Sequence, residues 1–288
     1  MRLRCSAVIV LCAVIVMASP AVQAQHLPAE PLHDTGQGVT AAFEGWFKNK
    51  DGTFSLLFGY FNRNQKEELE IPVGPQNHID PGGPDQGQPT HFLPGRQWGV
   101  FTVTVPADFG SNKLTWILIS NGQTTAIPGS LNPLWEVAAF FEPTTQNTPP
   151  VIRLADGSSV QGPRPTVTSL SARVGMPLTL SVSVSDDAIM PLIGTTGMDQ
   201  PKTPPISVTW SKFRGPGAVS FADTKPGVQF AGAVQPGKKI SGTASTTATF
   251  SEPGDYVLSV VANDWSGVGG HGYQCCWTNA QVKVSVKP

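Results

Sequence analysis

Thr249–Asp264 reads Thr-Phe-Ser-Glu-Pro-Gly-Asp-Tyr-Val-Leu-Ser-Val-Val-Ala-Asn-Asp, and this stretch decides the fold. Pro253-Gly254 is a turn signal that delivers the chain into a strand. Alternation places Tyr256, Leu258, Val260 and Ala262 on one face and Val257, Ser259, Val261 and Asn263 on the other. A strand of this kind belongs to a β-sandwich.

The pattern extends in both directions. Leu178, Leu180, Val182 and Val184 alternate with Thr179, Ser181, Ser183 and Ser185, which predicts a strand buried on one face. A long insertion follows Asp186-Asp187, then Ile206, Val208 and Trp210, a Gly215-Pro216-Gly217 turn, a Ser/Thr-rich segment, and a final strand over Ala280–Val286. Further upstream, Val39–Lys48 and Thr53–Phe61 flank the turn residues Asn49-Lys50-Asp51-Gly52 and form a hairpin. Both faces of its second strand are apolar, so it belongs in the middle of a sheet. Strands over Glu68–Val73, Trp98–Val105, Lys113–Ser120, Gln123–Ile127 and Trp135–Phe141 bring the number to about seven in roughly 105 residues, the density of a sandwich of immunoglobulin size. Glycine (30) and proline (27) punctuate the chain, and no long stretch has helical spacing. The expectation is an all-β protein with two sandwich domains in tandem, at residues 39–142 and 151–288. They are joined by a Thr/Pro linker, residues 143–150, whose composition predicts an extended, semi-rigid spacer.

In the second half a family resemblance emerges. Ser183-Val184-Ser185-Asp186-Asp187, Val208-Thr209-Trp210-Ser211-Lys212, Gly215-Pro216-Gly217, Ala248-Thr249-Phe250-Ser251 with Pro253-Gly254-Asp255-Tyr256, and Ala262-Asn263-Asp264 together resemble the PKD-type, immunoglobulin-like β-sandwich repeats of bacterial extracellular proteins. The resemblance covers Pro165–Pro288. Where the best-known members carry Trp-x-Phe-Gly-Asp-Gly, this chain has Trp210-Ser211-Lys212-Phe213, the mark of a divergent relative. What the resemblance implies is a fold and an adhesive or spacer role. Residues 39–141 resemble no named family.

Arg2 and Arg4 precede an apolar run from Ala7 to Met17 and a small-residue pattern, Val22-Gln23-Ala24, which together read as a secretory signal over residues 1–24. The run is shorter than the roughly 20 residues a membrane span needs. The mature chain is then expected to begin near Gln25 with a loosely held leader to residue 38, and to act outside the cytoplasm, secreted or periplasmic. Without Arg2 and Arg4, 17 of the 19 basic residues remain against 20 acidic ones, a net charge of −3. Nucleic acid is a poor partner for such a chain, because affinity for it comes from many cations neutralising phosphates.

Of the four cysteines only the adjacent Cys275 and Cys276 lie beyond the signal. They can close into a vicinal disulfide, stay reduced, or pair with another chain; the Gly-rich approach and the lack of another mature cysteine favour the ring. A ring would set Tyr273 and Trp277 beside it on an apolar loop. Among the seven tryptophans, Trp265 and Trp277 fall at loop or strand-end positions and are the two expected to be partly exposed. With Tyr273 they are the candidate binding residues, because exposed rings stack on sugar faces. Asp186, Asp187, Asp255 and Asp264 sit at predicted strand ends, where carboxylates in extracellular sandwiches can collect calcium, although solvated turn residues are the plainer reading. His78, Asp80, Asp85 and His91 share the loop Gly74–Gly95 without a ligand spacing.

No His-Glu-x-x-His, Gly-x-Ser-x-Gly or phosphate-loop pattern occurs, so no catalytic residue and no cofactor is assigned. The sequence reads as a non-catalytic binding or structural module whose partner is an extracellular protein or polysaccharide. Its rival is a carbohydrate-active enzyme accessory or a hydrolase with its cleft at Gly74–Gly95.

Overall fold

A computed structural model describes residues 33–164, 167–189, 203–268 and 275–288. The Asn49–Gly52 turn forms as the sequence predicts: Asn49 N–H donates to Thr53 O at 2.8 Å, and Asp51 Oδ1 accepts from Thr53 N. It joins β1 (Val39–Lys48) to β2 (Phe54–Asn62), and β2 lies between β1 and β6 (Gly95–Val105), the central place its two apolar faces call for. A second sheet takes the order β4 (Asn77–Asp80), β7 (Lys113–Ser120), β8 (Gln123–Ser130), and a short ladder pairs β3 (Leu69–Glu70) with β5 (His91–Phe92).

Leu56, Phe58 and Tyr60 from β2 and Phe101 and Val103 from β6 meet Leu114, Trp116 and Leu118 from β7 in one core. Phe58 stacks on Phe101 at 5.4 Å, and Phe101 meets Trp116 edge-on at 4.9 Å, a geometry that adds to area burial. The buried Trp116 indole donates to Asn77 Oδ1 at 3.0 Å.

Two expected strands of this half are replaced. Glu68–Val73 yields only the two residues of β3, because the chain turns to bury Ile71 in the core. Over Trp135–Phe141 there is no strand but a 3-10 turn at Pro133–Trp135, capped by Asn132 Oδ1 on Leu134 N, with proline at its start.

The second half pairs two larger sheets. One runs β10 (Ser159–Gln161), β9 (Val151–Arg153), β12 (Leu178–Asp186), β16 (Ile240–Phe250), β14 (Val219–Phe221), with β15 (Gln229–Phe230) also on β16. The other runs β11 (Val167–Arg173), β18 (Trp277–Lys287), β17 (Gly254–Asp264), β13 (Ile206–Arg214), with β11 parallel to β18. The expected inner face of β17 is the observed one: Tyr256, Leu258, Val260 and Ala262 pack against Leu180, Val182, Ala244 and Phe250. Tyr256 at the start of β17 donates its hydroxyl to Glu252 O at 2.9 Å and accepts from Gly217 N at 3.1 Å. That corner, a buried Trp210 on β13 and this strand order are the marks of the immunoglobulin topology. The protein is thus all-β, built from sandwich layers, with no α-helix among the described residues.

Residues 33–288 form one compact unit. Phe213, from β13 of the second half, is buried in the core of the first. The connecting segment turns back on itself instead of extending, because Glu142 accepts four hydrogen bonds from the backbone and hydroxyls of Thr144 and Thr145.

Candidate binding cleft between the sandwiches

The two halves meet along the outer face of β13, β17 and β18. Lys212 Nζ reaches Glu70 Oε1 at 2.6 Å, Arg214 forks onto Asp85 at 2.8 and 3.0 Å, and Thr90 N–H donates to Phe213 O at 3.1 Å. Gly99 of β6 lies against the Trp277 ring so closely that a Cβ there would stand 2.1 Å from Cζ2. Above this seam lies a cleft of about 450 Å³. Thr209 and Ser211 of β13 and Ser259, Val261 and Asn263 of β17 form one wall, and Pro94, Arg96 and Trp98 the other.

Trp98 is presented by a bulge. Tyr60 pairs with Gln97 while Phe58 pairs with Phe101, so β6 spends more residues than β2 between these points and arches outward. A matching irregularity in β1 falls at Glu44, between Phe43 and Gly45. Between them lies Gly59, where an added Cβ would stand 2.2 Å from Glu44 Oε1 and 2.4 Å from Gln97 O. The missing side chain lets the buried Glu44 carboxylate cross β2, pair with Arg96 and accept from Gly99 N at 2.6 Å. Burial pushes the Glu44 carboxyl upward, opposed by the Arg96 charge. Arg96 also donates to Tyr60 O at 3.0 Å, and its guanidinium lies 3.9 Å from the centre of the Trp98 ring. One face of Trp98 is thus covered by a fixed cation, and the residue remains 38% exposed.

His91, which also lines the cleft, is held between two carboxylates, Nδ1 at 2.8 Å from Glu70 and Nε2 at 3.2 Å from Glu68. Burial acts to raise the Glu70 carboxyl, but hydrogen bonds from His91 and Lys212 outweigh it and hold it below the usual range.

Of the sequence-derived candidates, Trp277 lies along this cleft beneath Gly99 and His91 also lines it, while the other described ones fall elsewhere. Cys275 and Cys276 are joined by a disulfide, but the ring is buried against the connecting segment, with Cys276 Sγ 3.5 Å from Asn147 O, and offers no open apolar surface. Trp265 and Trp277 are not the exposed pair: they are 6% and 3% accessible, Trp265 within the second core and Trp277 under Gly99. Tyr273 lies outside the described residues. Trp98 is missed because its signal is a bulge, which no local pattern shows.

Asp186, Asp187 and Asp264 do converge at one end of the second sandwich, whereas Asp255 pairs with Ser285 near the other end of β17 and cannot join them. Asp264 accepts from Asn147 Nδ2 at 2.6 Å and Asp187 from Thr148 Oγ1 at 2.7 Å, so both hold the connecting segment. Among the described residues no group of three or more His, Cys, Asp or Glu side chains is placed to hold a metal ion. His78 lies 3.5 Å from Asp80, but Asp85 is taken by Arg214 and His91 by the glutamates, so the four do not come together. No helix among the described residues is long and apolar enough to cross a membrane.

No family model and no curated protein matches the chain. Solved structures it is similar to include the N-terminal domain of PorA, at 14% identity over 48% of this chain and 97% of that one with a TM-score of 0.27. The CooA pilin subunit from enterotoxigenic Escherichia coli follows at 14% identity, 49% and 99% coverage and 0.26, and the D00-D0 domain of intimin at 13%, 85% and 98%, and 0.23. All three scores are low, and the fold assignment rests on strand order and the Tyr256 corner.

Proposed function

We propose that this protein is an exported, non-catalytic binding module that takes a saccharide in the cleft between its sandwiches. The observation that carries this reading is Trp98. Its ring is covered on one face by Arg96, which Glu44 holds, and the residue is 38% exposed, on a cleft walled by hydroxyl and amide side chains. A saccharide presents that combination in reverse, a flat C–H face for the ring and hydroxyls for Thr209, Ser211, Ser259 and Asn263. Export follows from the Arg2/Arg4 and apolar pattern of residues 1–24.

The test is a glycan array with the protein purified from the exporting cell, followed by calorimetric titration of the hits. Trp98→Ala should weaken binding by at least about tenfold, roughly 1.4 kcal/mol, at unchanged melting temperature. Hits that bind Trp98→Ala as tightly as the parent would place the ligand elsewhere, and an array without hits would return the weight to a protein partner.

A further inference from the structure

We infer that the saccharide is anionic, a uronate-containing or sulfated chain, and that Lys225 reads its charge; this rests on the cleft being the binding site. The chain carries 20 acidic residues against 19 basic ones, yet the cleft itself is lined by Arg96, Lys212 and Lys225 and by no Asp or Glu; Glu68 and Glu70 line only the adjoining hollow, where His91 and Lys212 engage them. The three cations are not equivalent. Arg96 is neutralised by Glu44 and Lys212 by Glu70. Lys225 is exposed and forms no ion pair among the described residues.

Its backbone is nonetheless fixed. The Trp210 backbone N–H donates to Thr224 O at 2.8 Å, tying the turn to β13, Asp223 Oδ1 accepts the Lys225 backbone N–H at 2.8 Å, and Lys225 lines the cleft. A cation without an ion-pair partner among the described residues, on a pinned turn that lines the same cleft as Trp98, suits a sugar ring that carries a fixed negative charge. A neutral sugar would leave the cation unmatched, and a cationic one would be repelled.

The experiment titrates the full exported chain with oligosaccharides of galacturonate, hyaluronan and heparan sulfate. Each is compared with its carboxyl-reduced or desulfated form, which keeps the ring and removes the charge. The native forms should bind several-fold more tightly, the preference should shrink towards about 1 M salt, and Lys225→Gln should abolish it without abolishing Trp98-dependent binding. Loss of the advantage on carboxyl reduction names a uronate, and loss on desulfation a sulfate ester. Equal binding of charged and neutralised forms, still lost in Trp98→Ala, would overturn the inference and leave the cleft reading standing. Charge preference surviving in both Lys225→Gln and Trp98→Ala would place the anion elsewhere and overturn both.

Discussion

Two buried carboxyls at the connecting segment pull stability in opposite directions with pH. Burial, reinforced by the nearby charges of Asp264 and Asp187, pushes the Asp186 carboxyl up to about 8, and its Oδ1 has no hydrogen-bond partner among the described residues. A folded pKa above the unfolded one means that its stabilising contribution is complete below about pH 4 and is lost as pH rises through about 8. Asp186→Asn keeps an acceptor for Ala188 N–H and removes the ionisation. It should raise the melting temperature at pH 8 by several degrees, at about 2–4 °C per kcal/mol, and leave it unchanged near pH 4. An equal shift at both pH values in a thermal scan would mean that burial of the charge is not the cause. Glu142 has the reverse sign. Burial alone would raise it, but the hydrogen bonds from Thr144 and Thr145 prevail and hold it at about 2. Its contribution is present above its ordinary 4.5 and disappears as pH falls through about 2, so Glu142→Gln should flatten the acid limb of the stability curve.

At the scale of the element, the cleft wall depends on a carboxylate crossing a strand. In Gly59→Ala the new methyl would displace Glu44 from Gly99 N–H and from Arg96, and Arg96 from the Trp98 ring. Overpacking costs of about 1–3 kcal/mol are usual, so a loss of that size with a changed tryptophan emission is expected; unaltered emission would show that Trp98 is held by other contacts. None of this is legible in the sequence, because a bulge is a property of register between strands far apart in the chain. What alternation does reveal is the β1–β2 hairpin, β12 and β17, where large apolar residues mark one face. It fails along the middle of β16, the Ser/Thr-rich segment, whose inward positions between Ile240 and Phe250 are Gly242, Ala244, Thr246 and Ala248. Small side chains satisfy the packing there and give no hydrophobic signal. It fails at Trp265 and Trp277 for the complementary reason, since a loop or strand end in sequence can be the inside of a core, as for Trp265, or of an interface, as for Trp277.

For the whole molecule, composition predicts two sandwiches spaced by an extended tether, and the contacts argue for mechanical coupling. Phe213 belongs to β13 of the second sandwich by sequence and to the core of the first by packing, with Val257 beside it. Lys212 and Arg214, on either side, bond Glu70, Asp85 and Gln88 O of the first half. The Arg214–Asp85 pair has a half-exposed carboxylate and contributes little, and the Lys212–Glu70 pair offsets its attraction by desolvating the buried lysine, so the apolar anchor should dominate. Truncating a buried phenylalanine costs about 3–5 kcal/mol, and here the loss falls on the seam between two cores that each retain their own strands. The parent protein should therefore unfold in one calorimetric transition, and Phe213→Ala should split it in two, with saccharide binding lost below the first. Two transitions already in the parent would show that the halves fold independently and that Phe213 fills space without coupling them. A single, merely lowered transition in Phe213→Ala would show that the polar seam suffices, and Arg214→Ala in that background should then produce the split.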